Sequence, residues 1–150
     1  RSFLCKKLIE IKKAHDKEII NFRHYFDSIN KRDIVISLST DDDTIKLWNP
    51  TTWECISNIS GIYRSGILTS ACIFSENNQN YILTSTDSKT NLIKIIDFAG
   101  KKIKFINDSK NKAYHTYYDK GHDNFQHERI IIYNSDKITK IIESTLIAGI

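Results

Sequence analysis

The chain has 150 residues, 40% apolar and 27% charged, with a net charge of +4, which suits one domain with its own core. The charge is mild and the Lys residues are scattered as singles and pairs, so the gathered basic face with aromatic or Arg readers that nucleic acid demands is missing. No apolar run approaches membrane-spanning length, no signal-peptide pattern opens the chain, and Cys5, Cys55 and Cys72 lie too far apart for a zinc motif or disulfide framework, which fits reduced thiols in the cytoplasm. Ile, Lys and Asn fill roughly a third of the chain. Their codons can all be A/T-rich, as in an AT-rich protist, and the structural side effect is a lean toward β-branched strand formers.

Strand-like runs follow in order. "KKLIEI" (6–11) comes first, then "IINFRHYF" (19–26), "DIVISLST" (33–40), "TIKLW" (44–48) and "ECISNI" (54–59). Short runs split by turn residues predict an antiparallel all-β domain: a sandwich, a barrel or a propeller. Alternation puts Ile34, Ile36 and Leu38 on one face and Ile45 with Leu47 on another strand's inner face. In "NFRHYF", Phe22 and Phe26 are expected inward. The order then recurs in "GILTSACIF" (66–74), "YILTST" (81–86), "NLIKIID" (91–97) and "KKIKFI" (101–106), with Trp48 and Ile96 at matching places 48 residues apart. A repeat of this length implies one four-stranded unit per copy.

With these residues in view, the chain resembles the WD40 β-propeller family. Ala14-His15 stands where the family has Gly-His, and "DDTIKLWN" stands where it has its Trp-Asp strand. In the second copy, Gly61-Ile62 takes the Gly-His place and "IKIID" the Trp-Asp place. The resemblance implies a partial propeller: a clear blade over 6–59, a degenerate one over 60–107, and partial blades over 108–150. In the last stretch, Ala113 to Tyr118 reads as the closing strand of a third blade. "RIIIYN" (129–134) and "TKIIESTLIAG" (139–149) read as the first two strands of a further blade. Three strands are missing before Ala113, which implies either an omitted segment near 109–111 or an irregular blade. Propellers close with about four to eight blades, so a chain of this length reads as a fragment whose end faces need covering by more chain or by a partner.

"STDDDTIKLW" poses the main chemical question. Asp41, Asp42 and Asp43 lack the spaced oxygen ligands and closing Glu of a calcium loop. The resemblance assigns Asp42 to a turn, in a buried network with His15, Thr40 (or Ser39) and Trp48. Asp43 replaces the usual Gly there, and Asp tolerates left-handed backbone; Asp41 and Asp43 are expected to be solvated. His115, His122 and His127, with Asp119, Asp123 and Glu128, match no zinc spacing and read as a polar loop. Each Cys lies in a strand-like run, where a buried inert thiol is expected. No nucleophile elbow or phosphate loop occurs. The expectation is therefore no catalytic residue, no metal and no cofactor.

The function implied is a non-enzymatic scaffold that binds other proteins within a larger cytoplasmic assembly, such as a cytoskeletal or ciliary one. The loops Asp27 to Arg32 and Asn49 to Thr52 would be displayed, and Trp53 is the expected partner contact unless it packs on a neighbouring blade. Two other classes stand beside this one: a regulatory propeller within a multidomain enzyme, and an RNA- or lipid-binding propeller.

Overall fold

Alternating apolar residues between short polar turns produce a set of antiparallel meanders. The computed structural model describes residues 7–39, 43–63, 67–86, 92–107, 115–119, 129–134 and 137–143. The first sheet holds β1 (Ile19–Asp27), β2 (Arg32–Ser39), β3 (Thr44–Trp48) and β4 (Cys55–Ser60), in the order β1-β2-β3-β4. The second holds β5 (Leu68–Glu76), β6 (Gln79–Thr86), β7 (Leu92–Ile96) and β8 (Lys102–Asn107), in the order β5-β6-β7-β8. The third has β9 (His115–Asp119), β10 (Arg129–Asn134) and β11 (Lys137–Glu143), with β10 in the middle. All pairings are antiparallel, and no helix occurs among the described residues.

Register sorts each sheet into two faces. In the first sheet, Ile34 is opposite Tyr25, Ile36 opposite Leu47, Leu38 opposite Ile45, and Ile45 opposite Ile59. Residues directly opposite share a face, so these form one apolar surface. The other face carries Phe22 opposite Ser37, Ser37 opposite Lys46, and Val35 opposite Trp48. In the second sheet, one face holds Ala71 opposite Thr84, Ile73 opposite Ile82, and Ile82 opposite Ile96. Its other face holds Cys72, Phe74, Tyr81, Leu83 and Ile95, all buried.

The sheets stack in sequence. One core cluster joins Ile34, Ile36, Leu38, Ile45, Leu47 and Ile59 of the first sheet to Ala71, Ile73, Ile82 and Ile96 of the second. β5 lies against β1 and β2, and β9 lies against β5 and β6. Tyr25 reaches across the first junction, donating to Asn80 Oδ1 at 3.2 Å and pairing with the Ser75 hydroxyl. Ser57 donates to the Phe98 carbonyl at 2.7 Å across the same junction.

Several expectations need correction. Residues 7–11 form no strand, and Leu8 and Ile9 are exposed; an apolar run makes a strand only where a ladder partner exists. Phe22 and Phe26 are 60% and 50% exposed. Alternation was legible in β1, but its inward face is the one carrying Tyr25, because β1 pairs Tyr25 with Ile34. β9 pairs directly with β10, so it opens the same sheet as β10 and β11 rather than closing an earlier unit. The join near 109–111 lies outside the described residues.

Candidate functional site

The segment before β1 is tied down by a side-chain cluster on the first sheet's second face. His15, buried despite its polarity, bridges two hydroxyls: Nε2 lies 2.7 Å from Ser37 Oγ and Nδ1 lies 2.8 Å from Thr44 Oγ1. Trp48 Nε1 donates to the same Ser37 Oγ at 2.7 Å. Indole N–H can only donate, so Ser37 oxygen accepts from Trp48 while its own proton can go to His15 Nε2. That order leaves Nδ1–H to donate to Thr44. Lys46 Nζ donates to the Ala14 carbonyl at 2.7 Å, which fastens the same segment from its other side.

The second sheet repeats the device with different residues. Lys94 Nζ donates to the Ile62 carbonyl, as Lys46 does to Ala14. Tyr63 then stands where His15 stands, and its hydroxyl pairs with Thr84 Oγ1 at 2.8 Å, as His15 pairs with Ser37. Thr84 in turn donates to the Lys94 carbonyl at 3.2 Å. The Lys94 ammonium lies 4.3 Å from the Tyr63 ring centroid, close enough for cation–π attraction. Burial pushes the Tyr63 hydroxyl far above its usual range, against hydrogen bonding with the Thr84 side chain and the Lys94 backbone that acts the other way. Ile96 occupies the Trp48 place and has no indole to donate. The residue pair matching Ala14-His15 is thus Ile62-Tyr63, one residue later than Gly61-Ile62. The signal available in sequence was the Lys at equal spacing, Lys46 and Lys94.

His15 and Trp48 of the expected network meet, and the hydroxyl between them is Ser37. Ser39 is buried with its Oγ unbonded among the described atoms, and Thr40 and Asp42 lie outside the described residues. Asp43 has φ 48°, the left-handed turn geometry expected of it, but it is not solvated. It is half-buried, and its Oδ2 accepts the Tyr63 backbone N–H at 2.9 Å. The first sheet's β2–β3 turn therefore holds the entry to the second sheet.

The opposite end of the sheets gathers the β1–β2, β3–β4, β5–β6 and β7–β8 turns. Asp27, wholly buried, organises the first of these. Its carboxylate accepts the N–H groups of Ile29 and Asn30 at 3.1 Å, Asn30 Nδ2 at 2.8 Å and Arg32 Nε at 3.3 Å. Burial alone would raise its pKa; the hydrogen bonds from Asn30, Asn80 and Arg32 outweigh that and hold it at about 2. Beside it lies an open cleft of about 350 Å³ lined by Ile29, Asn30, Asn80, Tyr81, Asp97 and Phe98. The loop Asn49 to Thr52 sits at this end too, with Thr51 N–H bonded to Asn49 Oδ1 at 2.9 Å.

Trp53 is half-buried, with φ 59°. It lines an apolar groove of about 270 Å³ with Ile9, Ile11, Ile19, Phe22 and Trp48, on the exposed face of the first sheet. Cys72 is buried as expected, whereas Cys55 is exposed, at the start of the outer strand β4, where Cys55 and Ile56 are both open to solvent; Cys5 lies outside the described residues. His115 and Asp119 lie at the two ends of β9, while His122, Asp123, His127 and Glu128 fall outside the described residues. No group of three or more His, Cys, Asp or Glu gathers around a metal-sized site among the described residues. No helix among them is long and apolar enough to cross a membrane. In comparisons with known proteins, no family model and no curated protein matches this chain.

Proposed function

We propose that the protein is an arc of a WD40-like β-propeller that serves as a non-enzymatic scaffold for protein partners in a larger cytoplasmic assembly. The observation that carries this reading is the recurrence of one fastening device at a spacing of 48 positions: Ala14, His15, Lys46 and Trp48 against Ile62, Tyr63, Lys94 and Ile96. A repeated unit that stacks face to face on its neighbour is the logic of repeat architectures. The Ser37–His15 contact has the length of a nucleophile–base pair. However, Ser37 is 1% exposed and its oxygen already accepts the Trp48 indole N–H, so this hydroxyl is engaged in structure.

Partner contact is best placed at the end where the four turns gather. Asn30, Asn78, Gln79 and Asn80 line the cleft there with Ile29 and Phe98. Amides can both donate to and accept from a peptide backbone, while the apolar residues take its side chains. The test is quantitative affinity capture of the tagged protein from its native cells, with Ile29→Glu and Gln79→Ala compared with wild type. Loss of the same co-purifying proteins in both variants, with unchanged circular dichroism, supports the reading. A partner set indifferent to both variants removes it.

A further inference from the structure

The cleft beside the β1–β2 turn is walled by both sheets, with Ile29 and Asn30 from the first and Gln79, Asp97, Phe98 and Ile103 from the second. Its polar groups are oriented by what lies next to them. Asp27 is wholly buried, and an ionised carboxylate can only accept. Asn30 therefore points Nδ2 at Asp27 Oδ2, at 2.8 Å, and turns its Oδ1 away. Asn80 donates to the same carboxylate, and its Oδ1 is taken by Ser75 at 2.7 Å and Tyr25 at 3.2 Å. Tyr81 donates its hydroxyl to Gln79 Oε1 at 2.7 Å, so the group left over on Gln79 is its NH2 donor. Asp97 Oδ1 accepts the N–H groups of Ala99 and Lys101. Among the described residues, no bond engages Asp97 Oδ2 or Asn30 Oδ1. Arg32 is paired with Asp27, and no Lys or Arg lines the cleft.

We infer that this cleft seats an arginine side chain of a protein partner, its guanidinium donating to Asp97 Oδ2 and Asn30 Oδ1 and stacking on Phe98. Two open acceptors, one of them a carboxylate with no lining cation beside it, call for a donor of positive charge. Their placement on two walls favours guanidinium over ammonium. The planar guanidinium fork presents donors in several directions, whereas an ammonium gathers three at one strongly hydrated point. Phe98 packs against the core, so its ring is held in place, and guanidinium planes stack on aromatic faces. Ile29 and Ile103 offer apolar cover for the methylene stem. The Gln79 NH2 then remains for a backbone carbonyl of the same segment, which favours a peptide over a free cation.

The inference rests on the scaffold reading above. The probe is an array of acetylated, amidated heptapeptides with varied flanks and arginine, lysine or citrulline at the centre; citrulline has the shape of arginine without its charge. The whole protein is applied to the array, and the best arginine peptide is then titrated by fluorescence anisotropy. Arginine should bind about tenfold or more tighter than citrulline, the worth of a charge-assisted hydrogen bond. Asp97→Asn keeps an Oδ1 for the β7–β8 turn and removes the charge, so it should erase that preference. Asn78 lines the cleft at φ 59°, a geometry that Asp also tolerates. Asn78→Asp adds a negative charge there and should tighten binding, which no loss of folding can do. The inference is overturned if no arginine peptide binds, if citrulline or lysine binds as tightly, or if either variant leaves the affinity unchanged. The scaffold reading survives any of these so long as Ile29→Glu and Gln79→Ala still lose partners from cells. Arginine-selective binding with a partner set indifferent to those two variants keeps the seat and defeats the scaffold reading.

Discussion

Ser37 accepts Trp48 Nε1–H and meets His15 Nε2 through one oxygen, both at 2.7 Å. Ser37→Ala takes this partner from the Trp48 indole N–H and from His15 Nε2, at roughly 1–3 kcal/mol each, so a loss of about 3 kcal/mol is expected in urea titration. A loss under about 1 kcal/mol would mean that water replaces the hydroxyl. Thr40 and Ser39 were the hydroxyls expected from sequence. Ser37 and Ser39 share a face, so alternation cannot separate them; the β2–β3 register, with Val35 opposite Trp48, puts Ser37 within reach of the indole. Asp27 gives a pH prediction. Its folded pKa of about 2 lies below the ordinary value of 3.8, so its contribution is present above about pH 4 and is lost as pH falls through about 2. A shift of this size corresponds to roughly 2 kcal/mol. The stability advantage of wild type over Asp27→Asn should shrink steadily from pH 5 to pH 2 in equilibrium unfolding; an advantage that does not change with pH would contradict the assignment.

Turns set the length and aim of the strands at the next scale. The β5–β6 hairpin closes through Asn77 and Asn78, at φ 48° and 59°, the paired left-handed geometry of a tight hairpin turn that Asn tolerates. The β7–β8 turn is built on Asp97, whose Oδ1 accepts the N–H groups of Ala99 and Lys101 at 2.9 and 2.8 Å. Gly100 follows at φ 83°, and a Cβ there would lie 2.7 Å from Ile59 Cγ2 of the first sheet. Gly100→Ala therefore meets both backbone strain and a buried β-branched neighbour, for an expected loss of roughly 2 kcal/mol. Gly61 has φ 65° but nothing within 4 Å of its would-be Cβ, so Gly61→Ala should cost only about 1 kcal/mol. Equal thermal shifts for the two variants would mean that the Gly100 turn moves freely off Ile59. Turn residues made most strand boundaries legible in sequence. The contact between this turn and the other sheet was not legible, because it joins residues far apart in the chain.

Across the whole molecule, the junction between the sheets decides whether they unfold together. Both Trp residues belong to the first sheet's region, Trp48 in β3 and Trp53 in the following turn, so intrinsic fluorescence reports on that half. Phe74, fully buried, lies on the far face of the second sheet. Phe74→Ala should cost roughly 3–5 kcal/mol and lower the fluorescence midpoint along with the circular dichroism midpoint. A fluorescence transition that stays put while the dichroism transition moves would show that the sheets fold independently. Tyr25, Ser57 and Asp43, each bonded to the next sheet or its entry, are the residues that argue for a single transition.

Alternation and turn chemistry are local, and they determined β1 to β8, their order and the apolar set of Ile34, Ile36, Leu38, Ile45 and Leu47. The recurring order of runs, with Trp48 and Ile96 48 residues apart, carried the repeat for the same reason. Which face of β1 turns inward, which hydroxyl meets Trp48, and that Asp43 is half-buried beside Tyr63 were decided only by tertiary structure. Each depends on pairing register or on one sheet's contact with the next, and a period of two leaves both faces of a strand equivalent until a neighbouring sheet covers one of them.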